Sequence, residues 1–187
     1  MRNGFLKSPK LFIVLAVIVL AFVGYWQITN QQGPQKTIKT STSSSTAPAK
    51  ATVVLNRPFY FSIPQSGSTK NEQKITFTLL TAERKDEIKI KGEPRKPGEG
   101  HDFLLLRLEL DNPSTKRIKF ASADFIRLLG TGDKKYSPDF HNGTVILDPI
   151  SVRRDLVSFK VDKDIKKFTL LIGELEKDKE RLEIEFK

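Results

Sequence analysis

The residues able to do chemistry are few. There are two histidines. His101 stands in the pair His101-Asp102, directly after the glycine-rich stretch GEPRKPGEG (92–100), and His141 lies in the turn sequence DFHNG. Either imidazole is the right group to take a proton from a serine, which would make the chain an envelope hydrolase. A triad is a matter of spatial geometry, however, and neighbouring letters do not supply it. Turn histidines are ordinarily surface groups. Asp139, Asn142 and Asp148 carry the oxygen ligands that Ca²⁺ takes, but not the ordered loop spacing of a built calcium site. The chain has no cysteine. That excludes disulfides, thiolate metal sites, a cysteine nucleophile and a lipidated N-terminal cysteine. No phosphate-binding loop, dinucleotide fingerprint or zinc spacing is present. The expectation is a non-enzymatic chain with no catalytic residues, no metal and no cofactor, the hydrolase using His101 or His141 being the alternative.

Cations offer more. Lys89, Lys91, Arg95 and Lys96 lead into or lie on the 92–100 stretch. Lys116, Arg117 and Lys119 form a second group, and Arg153 and Arg154 a third. On one face they would hold an anionic wall polymer or lipid headgroups at a membrane surface. The competing role is structural, since lysines guard exposed sheet edges against pairing. Binding of single-stranded nucleic acid wants aromatic rings among the cations. None flank 92–100, so nucleic acid is not an expected partner.

These residues must be positioned by strands. In KITFTLLTA, Ile75, Phe77 and Leu79 fall on one face and Thr76 and Thr78 on the other. Val157, Phe159 and Val161 alternate with Ser158 and Lys160, and Leu182, Ile184 and Phe186 with Glu183 and Glu185. Alternation of this kind predicts antiparallel strands with one wet face. HDFLLLRLELDN differs: Leu104, Leu106, Leu108 and Leu110 make one face, while Phe103 and Leu105 start a second. That predicts a central strand covered on both sides. Turn signals at 92–100, Asn112-Pro113, 130–133, 141–143 and Asp148-Pro149 separate the runs. One turn of helix fits within 121–129. The pattern is that of an all-β sandwich or barrel.

Before the strands comes a different kind of sequence. Leu11 to Trp26 holds no charged side chain, and Ile28 extends the run. As a helix, roughly 18 residues at about 1.5 Å each reach about 27 Å, within the range that spans a bilayer. Arg2, Lys7 and Lys10 precede it, Tyr25 and Trp26 close it, and the next charge is Lys36. The positive-inside rule predicts a transmembrane helix at 11–28 after a cytoplasmic basic N-terminus at 1–10, with everything downstream outside the cytoplasmic membrane. A cleaved signal peptide is the rival, but it needs small residues after the apolar core, and Phe22-Val23-Gly24-Tyr25-Trp26 is a poor match. A buried helix of a soluble protein is a third reading. Residues 29–51, rich in Ser, Thr, Gln and Pro, predict a disordered linker with an r.m.s. reach of roughly 25 Å. The formal charge of +10 is then misleading, because all 22 acidic residues lie after residue 51 and six of the 32 basic ones before it. The domain expected over 52–187 is close to balanced, an ordinary soluble surface.

From Phe103 to Val161 the chain carries LLLRLELDNPSTKRI, then ADFIRLL, TGDKKYSP and LDPISVRRDLVSFKV. This succession resembles the immunoglobulin-like domain of unknown function found in bacterial membrane-anchored proteins and lipoproteins, a family related to a secreted immunoprotective extracellular antigen. Asn112, Asp124, Phe125, Gly132, Tyr136, Pro149, Val157 and Phe159 are the matching positions, and Ile150 replaces the usual glycine after the proline. The resemblance extends over about 110 residues, Lys74 to Phe186, and implies an immunoglobulin-like sandwich without defining catalytic residues. The expected function is an extracytoplasmic binding module at the cell envelope. Its partner would be a protein or an anionic envelope polymer, met through the loops at one end, with 92–100 first among them. A passive spacer is the remaining alternative.

Overall fold

The computed structural model describes residues 48–65 and 68–187. The expected membrane helix at 11–28 and most of the linker lie outside these residues. Among the described residues no helix is long and apolar enough to cross a membrane.

Thirteen strands follow in order among the described residues. They are β1 (Ala51–Gln65), β2 (Ser68–Lys85), β3 (Ile88–Ile90), β4 (Glu93–Arg95), β5 (His101–Asn112), β6 (Ile118–Phe120) and β7 (Ile126–Leu129). Then come β8 (Lys135–Tyr136), β9 (Phe140–His141), β10 (Val145–Leu147), β11 (Ser151–Asp162), β12 (Lys167–Ile172) and β13 (Glu180–Glu185). One sheet has the order β1-β2-β5-β11-β9 and the other β13-β12-β7-β8, with β3-β4 and β6-β10 as two-stranded ribbons. Every pairing is antiparallel. The described residues form an all-β sandwich.

Alternation decides what the sheets bury. Ile75, Phe77 and Leu79 of β2, the four even leucines of β5, and Val157, Phe159 and Val161 of β11 all point into one core. They meet Ile126, Leu170, Ile172 and Ile184 of the facing sheet there. Phe61, Phe77, Phe120 and Phe125 add a chain of ring contacts with centroids 4.5–6.1 Å apart. Strand β5 is central, as its composition predicts. Its second face is also covered: Phe103 and Leu105 are buried, and Phe140 meets Phe103 edge to face. The predicted helical turn is a single 3-10 turn at Ser122–Asp124, leading into β7.

Two departures from strict alternation matter. Leu80 is an extra residue of β2 against β5, because Leu79 pairs Leu108 while Thr81 pairs Arg107. Such a bulge reverses which side chains face in. Beyond it Ala82 and Arg84 point to the core, and Glu83 and Lys85 to the other face. A second bulge on β1 places Asn56 at φ 46. It interrupts β1, which is an outer strand among the described residues and also carries Pro58, features that discourage pairing with another chain.

Candidate functional site

The first cationic group does not sit on a plain loop. The sequence reads 92–100 as irregular, but Lys91 and Gly92, at φ 52 and 88, form a two-residue turn that pairs β3 with β4. Positive φ at both central residues matches the right-handed twist of the flanking strands, which is why so short a hairpin closes here. Ile88 and Pro97 bury its base. Lys91, Arg95 and Lys96 are exposed, Lys89 is half-buried, and none of the four has an ion pair among the described residues.

The three cationic groups do not form one patch. The hairpin is rooted next to the start of β5, since Lys85 pairs Phe103. Lys116 and Arg117 follow the end of β5 at Asn112, about 36 Å away at roughly 3.3 Å per residue. The second and third groups do meet. Lys119 pairs Ile146, whose carbonyl accepts a hydrogen bond from Arg153 at 3.2 Å. Arg117 is bound to Asp148 at 2.8 Å.

At the hairpin end the core is closed by charge. The Arg84 guanidinium is buried and donates to Asp102 Oδ2 at 3.0 Å. It also donates to the carbonyls of Asp162, Lys163 and Ile165, and it lies 5.8 and 6.0 Å from the rings of Phe168 and Phe186. Lys50 donates to Asp102 Oδ1 at 2.8 Å. Composition groups Lys50 with the linker, yet this bond ties it to the domain. On the opposite face of β2, Glu83 accepts hydrogen bonds from Arg107 and lies 3.5 Å from the Lys85 ammonium. Burial pushes the Glu83 carboxyl up. The Arg107 hydrogen bond and charge, with Lys85 and the Thr81 hydroxyl, outweigh that and hold it below the ordinary carboxylate range.

The histidines have local partners. His101 Nδ1 is 2.7 Å from the Glu99 carbonyl and Nε2 is 3.2 Å from Asp162 Oδ1. His141 Nδ1 accepts the Gly143 amide at 3.0 Å. The oxygen-bearing residues considered for calcium are each engaged separately. Asp139 accepts the Lys160 amide, Asn142 donates to Asp155, and Asp148 binds Arg117. Among the described residues no three His, Cys, Asp or Glu gather as a metal set.

A groove of about 650 Å³ opens between the sheets, with Leu128, Phe159, Val161 and Phe168 at its base and Tyr136 and Ile165 at its mouth. Two runs of chain, β7-β8 and β11-β12, build it, with β11 in one sheet and the other three strands in the facing one, so no local pattern announces it. The Tyr136 ring occupies the space above Gly130, where a Cβ would come within 2.3 Å of it. Asp139 closes the neighbouring edge of β11. Its amide donates to the Ser158 carbonyl and its carboxylate takes the Lys160 amide, so a side chain continues what β9 begins.

No family model matches the chain, and no curated protein does. Two solved structures are similar. One is a conserved hypothetical protein from Bacillus anthracis, 19% identical, covering 66% of this chain and 96% of that one, with a TM-score of 0.45. The other is an uncharacterized beta-sandwich protein from Clostridium difficile 630, 12% identical, covering 66% and 89%, with a TM-score of 0.44.

Proposed function

We propose that the chain is a single-pass membrane protein that displays an immunoglobulin-like sandwich outside the cytoplasmic membrane as a binding module for an anionic partner. The strand order supports the immunoglobulin-like part. Set β1 aside, and β2-β5-β11-β9 facing β13-β12-β7-β8 reads as strands A-B-E-D facing G-F-C-C′. The crossings from β5 to β7 and from β11 to β12 join the sheets where that topology requires. Asn112 stands at the end of a strand, Gly132 in a tight turn and Tyr136 in the strand after it, as the resemblance implies. The apolar run after Arg2, Lys7 and Lys10 supports the anchor. The observation that carries the binding role is the β3-β4 hairpin, whose four cations have no ion pair among the described residues.

Protease shaving of intact cells that carry the chain with a C-terminal tag tests the display. The expected product is full-length, membrane-bound and destroyed by external protease. A shortened product in the medium makes residues 11–28 a signal peptide and the domain a secreted factor. A full-length, protected product overturns the topology.

A further inference from the structure

The chain enters the folded domain at the corner from which the cationic hairpin springs. Lys50 Nζ lies 2.8 Å from Asp102 Oδ1 and 3.9 Å from Asp86 Oδ2, and its amide donates to the Arg84 carbonyl. Asp86 is two residues before β3. The turn between β11 and β12 is held at the same corner. Arg84 donates to three of its carbonyls, and the Lys163 amide donates to the Gly100 carbonyl. Entry point, hairpin and turn are thus bonded into one end of the sandwich. To the hairpin cations this turn adds Lys163 and Lys166, both exposed and without an ion pair among the described residues, and Ile165, an aliphatic side chain left 45% exposed. Glu93 is the one acid within 88–96, while Asp86, Glu87 and Glu99 flank the hairpin and Asp162 and Asp164 lie on the turn, so the excess of positive charge is at the hairpin itself.

We propose that this end is a lipid-binding face. Lys89, Lys91, Arg95, Lys96, Lys163 and Lys166 hold the phosphates of anionic headgroups, and Ile165 reaches the headgroup boundary. The proposal deepens the anchored reading above and rests on it. Position favours lipid over a wall polymer. The linker expected over 29–51, with a reach of roughly 25 Å, would keep its own end of the domain near the bilayer at high effective concentration. The other cationic group lies a strand length away along β5, at the end the linker does not enter. Each cation near an anionic surface contributes about fivefold to partitioning, so the four cations of the hairpin, less the opposing Glu93, supply about a hundredfold. Screening confines the effect to groups within about 8 Å of the headgroups at physiological salt.

The test uses the full chain, whose lack of cysteine allows one labelled site at a time. A fluorophore is placed by Glu93→Cys on the hairpin, or by Thr115→Cys at the far end. The protein is reconstituted into phosphatidylcholine vesicles with and without about 30 mol % phosphatidylglycerol, with a headgroup quencher in each. With phosphatidylglycerol, quenching at 93 is expected to exceed that at 115 at least twofold. The excess is expected to vanish in pure phosphatidylcholine, at about 1 M salt, and when Lys89, Lys91, Arg95 and Lys96 are all changed to Gln. Equal quenching at the two sites, or an excess indifferent to lipid charge, overturns the proposal. So does displacement of the label by a soluble glycerol-phosphate polymer at equal charge, which makes the polymer the preferred partner. Failure of the anchor alone is read separately, as failure to float with pure phosphatidylcholine. In that case flotation with phosphatidylglycerol vesicles, lost on the four Gln changes, supports the lipid face, and no flotation overturns it.

Discussion

The two ends of β5 are sealed by opposite chemistries. At its start, Asp102, Arg84 and Lys50 form a charged network that binds the incoming chain and the β11-β12 turn. At its finish, Asn112, fully buried, does the same work without charge. Its amide donates to the carbonyls of Lys116 and Asp148 at 2.8 Å, and its oxygen accepts the Ser114 amide and hydroxyl. A buried ion pair is costly to assemble and costlier to halve, because the survivor keeps its charge in a poorly solvating place. A neutral amide loses only its own hydrogen bonds when removed. The charged seal is therefore open to screening by salt, and the bonds of the Asn112 amide are not.

Halving each seal is the strongest way to break the comparison. Arg84→Ala leaves Asp102 buried beside a half-exposed Lys50 and strips three carbonyls of a donor. About 3–5 kcal/mol of stability should be lost in a denaturant titration. Asn112→Ala should cost less, about 2–3 kcal/mol, since only neutral groups lose partners. Equal losses would mean that the charge at the first end is better solvated than its burial implies.

Acid sharpens the contrast next. Because the folded Glu83 carboxyl is held below its ordinary value of 4.5, the unfolded chain takes up a proton where the folded one does not. That contribution is complete above about pH 4.5 and is lost as pH falls through the lower folded value. Glu83→Gln should make the decline in stability between about pH 5 and 3 shallower. Hydrogen exchange over the same range should rise at amides around Arg84 before those around Asn112.

The smallest effect is expected at the uncharged end. Ile150 occupies φ 49 in the turn before β11, a conformation that crowds a β-branched side chain, and its side chain is 74% exposed. Ile150→Gly should raise stability by about 0.5–1 kcal/mol, the relief of strain exceeding the entropy glycine adds to the unfolded chain. A loss would show that the isoleucine side chain earns its place through contacts.

Asn112 is readable in the sequence because its task is local. A polar residue before Pro113 at the end of an apolar strand bonds its own backbone two residues on. The strands with a single wet face are readable for the same reason, as is the doubly covered β5. Arg84 is not. Read with a period of two from Ile75, it falls on the outer face, and only the unpaired Leu80 turns it inward. The cations of the hairpin stand out by composition. Their separation from the Arg117 and Arg153 groups follows from strand order, which no local window contains. Lys50 looks like linker because its partners, Asp86 and Asp102, lie far along the chain.

Strand β1 has a mechanical consequence. It begins at Ala51, directly after the entry point, and runs paired along β2 to Gln65. Tension carried through the preceding chain and directed along β1 loads that ladder in shear, with many hydrogen bonds sharing the force. Tension directed away from the sheet edge opens the same ladder like a zipper, one pair at a time. The strength of the attachment thus depends on where the rest of the domain is held. Held at the Asn112 end it resists a pull as a lap joint does, and held at its C-terminus, where Phe186 bonds Lys166 beside the entry corner, it peels.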